Sequence, residues 1–173
     1  DAICMAAMAA GEADALGSLY SRYARMVSAL IWRLLPALSA GDVDDLCQET
    51  FITLYETAQR YDERGTIRSW ICGIAVNKVR NYRRKHRHDA HWQPEEPAEQ
   101  PPRSAVRIDM ERVITSLSHE HREVLILNIV EGFSAREIAA MLGIAEKTVW
   151  TRVHRAKQCA QRKWRQLQGG DHE

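Results

Sequence analysis

Apolar residues recur through most of the chain at intervals of three and four, and no stretch alternates with a period of two. That pattern predicts helices and no strands. Between Glu12 and Leu35, the positions Leu16, Leu19, Tyr23, Met26, Leu30 and Leu34 keep the helical rhythm, and Pro36 and Gly41 close the element. A second helix is predicted from Asp42 to Tyr61, opened by Asp42 with Asp45 three residues on. Its apolar positions are Leu46, Phe51, Leu54, Tyr55 and Ala58. After a short loop, Asp62 to Thr66, a third helix runs from Ile67 to His88. Trp70, Ile71, Ile74 and Ala75 make its first half apolar, and its second half is basic.

The rhythm then stops. From His88 to Ser104 the chain carries Pro94, Pro97, Pro101 and Pro102 among Glu95, Glu96 and Glu99, the composition of an extended acidic linker. Helical spacing resumes at Ala105 with Val106, Met110, Val113, Ile114 and Leu117. Ser118 caps a further helix that ends at Gly132. Ser134-Ala-Arg-Glu137 reads as a capping box opening a short helix with Ile138, Ala139 and Leu142 on one face. Gly143 supplies a turn, and a last helix follows with Val149, Val153 and Ala156 inward. Two helices joined by a Gly-bearing turn, the second one basic, form the helix-turn-helix pattern. A plain solvated basic helix is the competing interpretation. The predicted fold is all-α, with two small helical domains, residues 1–88 and 105–173, joined by a Pro/Glu-rich linker over 89–104. The C-terminal one is a four-helix domain with the helix-turn-helix.

Length and composition fit this. The 173 residues are 45% hydrophobic, ordinary for globular domains. No apolar run approaches the roughly 20 residues that span a bilayer, and no signal peptide is visible after Asp1. Cys4, Cys47, Cys72 and Cys159 lack CxxC spacing and read as reduced, mostly buried thiols of a cytoplasmic protein. His86, His88 and His91 have no carboxylates or thiols at ligand spacing, so neither a metal nor a cofactor is expected. No nucleophile–base pair or phosphate loop supports an enzyme.

The net charge of +1 conceals a segregation. Asp42, Asp44, Asp45, Glu49, Glu56, Asp62 and Glu63 face one base, Arg60, before Arg64. Lys78, Arg80, Arg83, Arg84, Lys85 and Arg87 follow with no acid between Asn77 and His88. The last helix carries Lys147, Arg152, Arg155, Lys157, Arg162, Lys163 and Arg165 against Glu146 alone. Separate charged surfaces point to separate partners.

Three groups of strings carry a resemblance. They are Asp45-Leu-Cys-Gln-Glu-Thr-Phe51; Ser69-Trp-Ile-Cys-Gly-Ile-Ala-Val-Asn77 with Asn81-Tyr82; and His121-Arg-Glu-Val-Leu125 with Ile138-Ala-Ala-Met-Leu-Gly143 and Thr148-Val149, Arg152 and Arg155-Ala156. In this order they resemble the extracytoplasmic-function class of bacterial sigma factors, over nearly the whole chain outside the linker. The resemblance implies that Asp45, Gln48, Glu49 and Phe51 dock on the coiled coil of the largest subunit of core RNA polymerase. The flap of the second-largest subunit is the other implied polymerase contact.

It also implies capture of the −10 promoter element as single strand by the loop Arg64-Gly65-Thr66 and by Asn77, Lys78, Arg80, Asn81, Arg83 and Arg84. Cations along the backbone and amides at base edges suit that task. Trp70, among apolar neighbours, reads as core, with a stacking platform as the alternative. In the helix-turn-helix, Trp150, Thr151, His154 and Arg155 take the family's base-facing positions at the −35 element, with Lys147 and Arg152 nearer phosphates. Ala145, Lys147 and Trp150 depart from the family's usual residues. An anti-sigma factor, often membrane-anchored in the family, is a further implied partner. The rival is a polymerase-independent helix-turn-helix regulator that binds duplex DNA by itself.

Overall fold

The computed structural model describes residues 1–62, 65–86 and 105–169. Every regular element among them is helical. Contacts divide the chain into two compact units, Asp1–Pro97 and Ala98–Glu173. The predicted linker and Arg64 lie outside the described residues.

The N-terminal unit opens with a helix that periodicity did not disclose, α1 (Ala2–Ala9). It buries Met5 and Met8. Its C-terminal end is held by neighbours: the Gln59 amide donates to the Ala9 carbonyl at 3.2 Å, and the Tyr55 hydroxyl to the Gly11 carbonyl at 3.1 Å. At the other end, Asp1 accepts from Arg22 and from the Tyr23 hydroxyl. Helix α2 (Asp14–Leu34) buries Leu19, Val27, Leu30, Ile31 and Leu34.

Helix α3 (Ala40–Thr57) starts earlier than Asp42 because Ser39, not Asp42, is its N-cap. The Ser39 hydroxyl accepts the Asp42 N–H at 3.1 Å and donates to the Asp42 carboxylate at 2.7 Å. A short cap oxygen of this kind satisfies a backbone donor that the first turn leaves unpaired. A 3-10 turn, Ala58–Arg60, extends α3, and α4 (Ile67–His86) follows. Helices α2, α3 and α4 pack pairwise around Phe51, Leu54, Ile71, Ala75 and Val76. Each large side chain so buried contributes about 1.5–3 kcal/mol of transfer free energy.

The C-terminal unit consists of α5 (Ala105–Ser116), α6 (His119–Leu125), a π-helical segment Ile126–Val130, α7 (Ala135–Leu142) and α8 (Glu146–Gly169). Ser118 caps α6 as expected, accepting the His121 N–H at 3.4 Å. The helix does not run regularly to Gly132: the Glu131 N–H reaches back five residues to the Ile126 carbonyl at 3.0 Å. The turn between α5 and α6 is fixed by buried Arg122. Its Nε donates to the Ile114 carbonyl at 3.0 Å and an Nη to the Leu117 carbonyl at 3.2 Å. Helices α5, α6 and α7 all lean on α8, which buries Val149, Val153 and Ala156. Met110, expected on the inward face of α5, is exposed, whereas Val113 and Leu117 are buried.

Candidate nucleic-acid interfaces and an acidic docking helix

On α3 the acids form one stripe. Asp45, Gln48, Glu49 and Glu56 are exposed at intervals of three, four and seven, and Ile52 stands among them at 55% exposure. Sequence reasoning missed Ile52. It occupies the position one turn after Gln48 and Glu49, which is the signal that could have found it. Phe51 is a correction to the expected docking set. Its ring is 2% exposed and packs edge-to-face on Tyr20, centroids 4.9 Å apart. Two residues beyond Glu49 on a helix is some 200° around the axis, so the residue that follows the acids by two must face the core. Buried Thr50 satisfies its hydroxyl on the Leu46 carbonyl at 2.7 Å.

Thr66 opens α4. Its hydroxyl accepts the Ser69 N–H at 3.1 Å, and its carbonyl accepts both the Trp70 N–H at 3.0 Å and the Ser69 hydroxyl at 2.7 Å. Gly65 is tightly placed. A Cβ there would stand 3.0 Å from the Ser69 Oγ, and its carbonyl accepts the Tyr61 hydroxyl at 2.6 Å. Trp70 is half-buried and meets Tyr61 edge-to-face at 5.8 Å. Its indole N–H is buried with no acceptor among the described residues. The ring is therefore packed on Tyr61 rather than left as an open stacking platform.

Further along α4, Asn77, Asn81 and Arg84 line one exposed face with half-buried Arg80, and Arg83 is exposed beside them. An Arg84 nitrogen donates to the Asn81 side-chain oxygen at 3.3 Å. Lys78 points off this face toward α3, where its Nζ lies 3.3 Å from Glu49. Tyr82 and His86 stack at 4.1 Å, with the His86 Nδ1 2.8 Å from the Tyr82 carbonyl.

In the C-terminal unit the capping box is complete. The Ser134 hydroxyl accepts the Glu137 N–H at 3.3 Å, and the Glu137 carboxylate accepts the Ser134 N–H at 2.9 Å. Gly143 takes the left-handed conformation, φ 64°, that ends α7 and reverses the chain. With Val149, Val153 and Ala156 inward, the opposite face of α8 presents Lys147, Trp150, Thr151, His154 and Arg155 together, Trp150 at 59% exposure. Thr151 returns its hydroxyl to the Lys147 carbonyl at 3.0 Å, and His154 Nε2 lies 3.0 Å from the Gln158 amide nitrogen. Arg152 stands apart from this stripe. It is turned toward α6, 3.3 Å from Glu120.

Among the described residues no three His, Cys, Asp or Glu side chains are grouped to hold a metal, and no helix is long and apolar enough to cross a membrane. His88 and His91 lie outside the described residues. All four cysteines are free, Cys47 and Cys72 buried.

Residues 19–88 match the family model of Sigma-70 region 2, and residues 107–159 match that of Sigma-70, region 4. The ECF RNA polymerase sigma factor SigE of Mycolicibacterium smegmatis is 34% identical over 163 residues, which are 87% of this chain and 63% of SigE. SigL of Mycobacterium tuberculosis, also an ECF RNA polymerase sigma factor, is 31% identical over 86% of this chain and 88% of its own length. This chain belongs to the ECF sigma factors of RNA polymerase. The solved structure of CnrH in complex with the cytosolic domain of CnrY matches with a TM-score of 0.68 and 28% identity, covering 98% of this sigma factor and 97% of CnrH.

Region 2 spans α2 to α4, so the acidic stripe and the cation–amide stripe both belong to it. A regulator independent of polymerase has no use for that unit, and the rival reading is set aside. Region 4 ends within α8 at Cys159. Sigma factors are non-enzymatic initiation factors.

Proposed function

We propose that the stripe Asp45, Gln48, Glu49 and Ile52 docks this sigma factor on the coiled coil of the largest polymerase subunit. Phe51 acts from beneath by holding the stripe in shape. The single observation that carries this reading is the confinement of opposite charge to two neighbouring helices of one unit. Acids on α3 suit a basic protein partner, and exposed Ile52 supplies apolar contact in the middle of a polar rim. The face Asn77, Arg80, Asn81 and Arg84, with Arg83 and Lys78 on its flanks, takes the −10 element as opened single strand, together with Gly65 and Thr66 ahead of α4 and with Arg64, which lies outside the described residues. Lys147, Trp150, Thr151, His154 and Arg155 enter the major groove at the −35 element, with Arg155 offering a two-pronged donor to guanine and Arg152 at the flank. The second unit meets the flap of the second-largest subunit.

The protein works in the cytoplasm under an anti-sigma factor. CnrH, a sigma factor of Cupriavidus metallidurans 28% identical to this chain, has been solved in complex with the cytosolic domain of CnrY. A partner with a cytosolic domain is one with another part elsewhere, which fits a membrane anchor.

Run-off transcription with core polymerase on genomic fragments tests the reading. Charge reversal at Asp45 and Glu49 is expected to abolish core binding, whereas Arg83→Glu with Arg84→Glu leaves core binding intact and abolishes open-complex formation. Undiminished open complexes from the second variant would remove the −10 assignment.

A further inference from the structure

A cleft of about 290 Å³ lies inside the C-terminal unit, between the α5–α6 turn and the far half of α8. It is separate from the groove-facing stripe, whose members stop near Gln158. Arg162, Lys163 and Gln166 line it from α8; Ser118 and His121 line it from the turn. No carboxylate stands among its described lining residues. From Lys147 to the end of α8 the helix contains no acid, so no neighbour on that helix neutralises the two cations.

The donors converge from two sides. Arg162 brings a fork of N–H groups, one of which rests on the Cys159 sulfur at 3.2 Å, a weak acceptor easily exchanged for an oxyanion. Lys163 adds a point charge, and Gln166 an amide. Ser118 accepts the His121 N–H, so its own hydroxyl proton is free to donate. A carboxylate has two oxygens and is filled by an arginine fork alone. Donors from two walls, including a fork and an ammonium, suit a group with more oxygens and more charge. The volume is that of a small-ligand pocket rather than of a single ion.

We propose that this cleft binds a phosphate-bearing group with at least two phosphates. Bound there, the group ties the α5–α6 turn to the far half of the same helix that carries the groove-facing stripe. The phosphate has two possible sources, a free diphosphate or the backbone of DNA lying past the groove-facing stripe, and the recognition chemistry is the same for both.

Calorimetric titration of the full chain with inorganic pyrophosphate tests it. Arg162→Ala and Lys163→Ala are each expected to weaken binding about tenfold, as for loss of a charge-assisted hydrogen bond. Gln166→Glu, which sets a carboxylate in the cleft, is expected to abolish it. Arg165→Ala, exposed and off the cleft, should match the parent protein. Thermal melting of each variant establishes that it folds. Absence of binding, or equal weakening by the Arg165 and Arg162 variants, overturns the proposal. A second titration adds a short mixed-sequence duplex. Displacement of pyrophosphate assigns the site to backbone phosphate, and simultaneous binding assigns it to a free anion.

Discussion

Glu49 and Phe51 are two residues apart and have opposite fates, and helical geometry alone separates them. Phe51 falls on the line of Cys47 and Leu54, inside; Glu49 falls on the line of Asp45 and Ile52, outside. The period of the sequence already contained this. The likeness to a family's docking string pulled Phe51 to the surface, where its spacing does not put it. The two residues are expected to separate in experiment. Phe51→Ala should cost about 3–5 kcal/mol of stability, seen as a large drop in melting temperature, because it empties a filled core site. Glu49→Lys should shift the melt by no more than about 1 kcal/mol, the worth of the solvent-accessible pair with Lys78, and lose core-polymerase binding in a pull-down.

Cys47 is next along the same inner line. Burial pushes its thiol above the ordinary value of 9.0, with nearby Asp44 adding to the rise and a hydrogen bond to Ser28 opposing it. The nucleophile in alkylation is the thiolate. Iodoacetamide at neutral pH is therefore expected to label half-exposed Cys4 and Cys159 well before Cys47, as read by mass spectrometry of the folded chain. The sign for stability follows: below the ordinary thiol value the contribution of Cys47 is intact. Above it the unfolded thiol ionises first, so stability falls as pH climbs toward the folded value.

At the scale of elements, what was legible had contrast and what was not lacked it. The capping box, the Gly143 turn and the inward triplet of α8 are written as polar and apolar alternatives at fixed spacing, and each stands where expected. Helix α1 is nearly all apolar, AICMAAMA, and a segment without polar positions gives no period to read. The π-helical segment Ile126–Val130 is illegible for another reason: its bonds lengthen by one residue to meet a left-handed Gly132, and Asn128 steadies the exit by donating to the Phe133 carbonyl at 3.0 Å. Such a bulge turns Ile129 and Val130 outward.

The ion pair between Glu49 on α3 and Lys78 on α4 is a link between elements that no local pattern contains. It joins the two proposed surfaces of region 2, so a partner that takes Glu49 releases Lys78. Both ends are solvent-accessible, and an exposed pair is worth about 0–1 kcal/mol. Glu49→Gln in the free sigma factor is thus expected to raise affinity for single-stranded DNA by no more than about fivefold. In a Lys78→Ala background the same change should do nothing, and fluorescence anisotropy with a labelled oligonucleotide checks both.

At the scale of the molecule, a net charge of +1 says nothing, and its distribution says a great deal. Acids gather on α3, cations on the second half of α4 and along α8, and the second and third of these groups lie in different units. Each unit has its own core, so each is expected to fold when expressed alone, as residues 1–97 and 98–173. Function should not survive the cut equally well. Binding at one promoter element confers on the second an effective concentration set by the covalent connection between the units. Separated halves at micromolar concentration lose that advantage. Mixed in equal amounts with core polymerase, they are expected to give run-off transcript reduced by about 10²–10⁴-fold relative to the intact chain, recovering as the concentration of the C-terminal half is raised. Full activity from the mixed halves at low concentration would mean that polymerase alone positions the two units and that the connection between them contributes nothing to promoter choice.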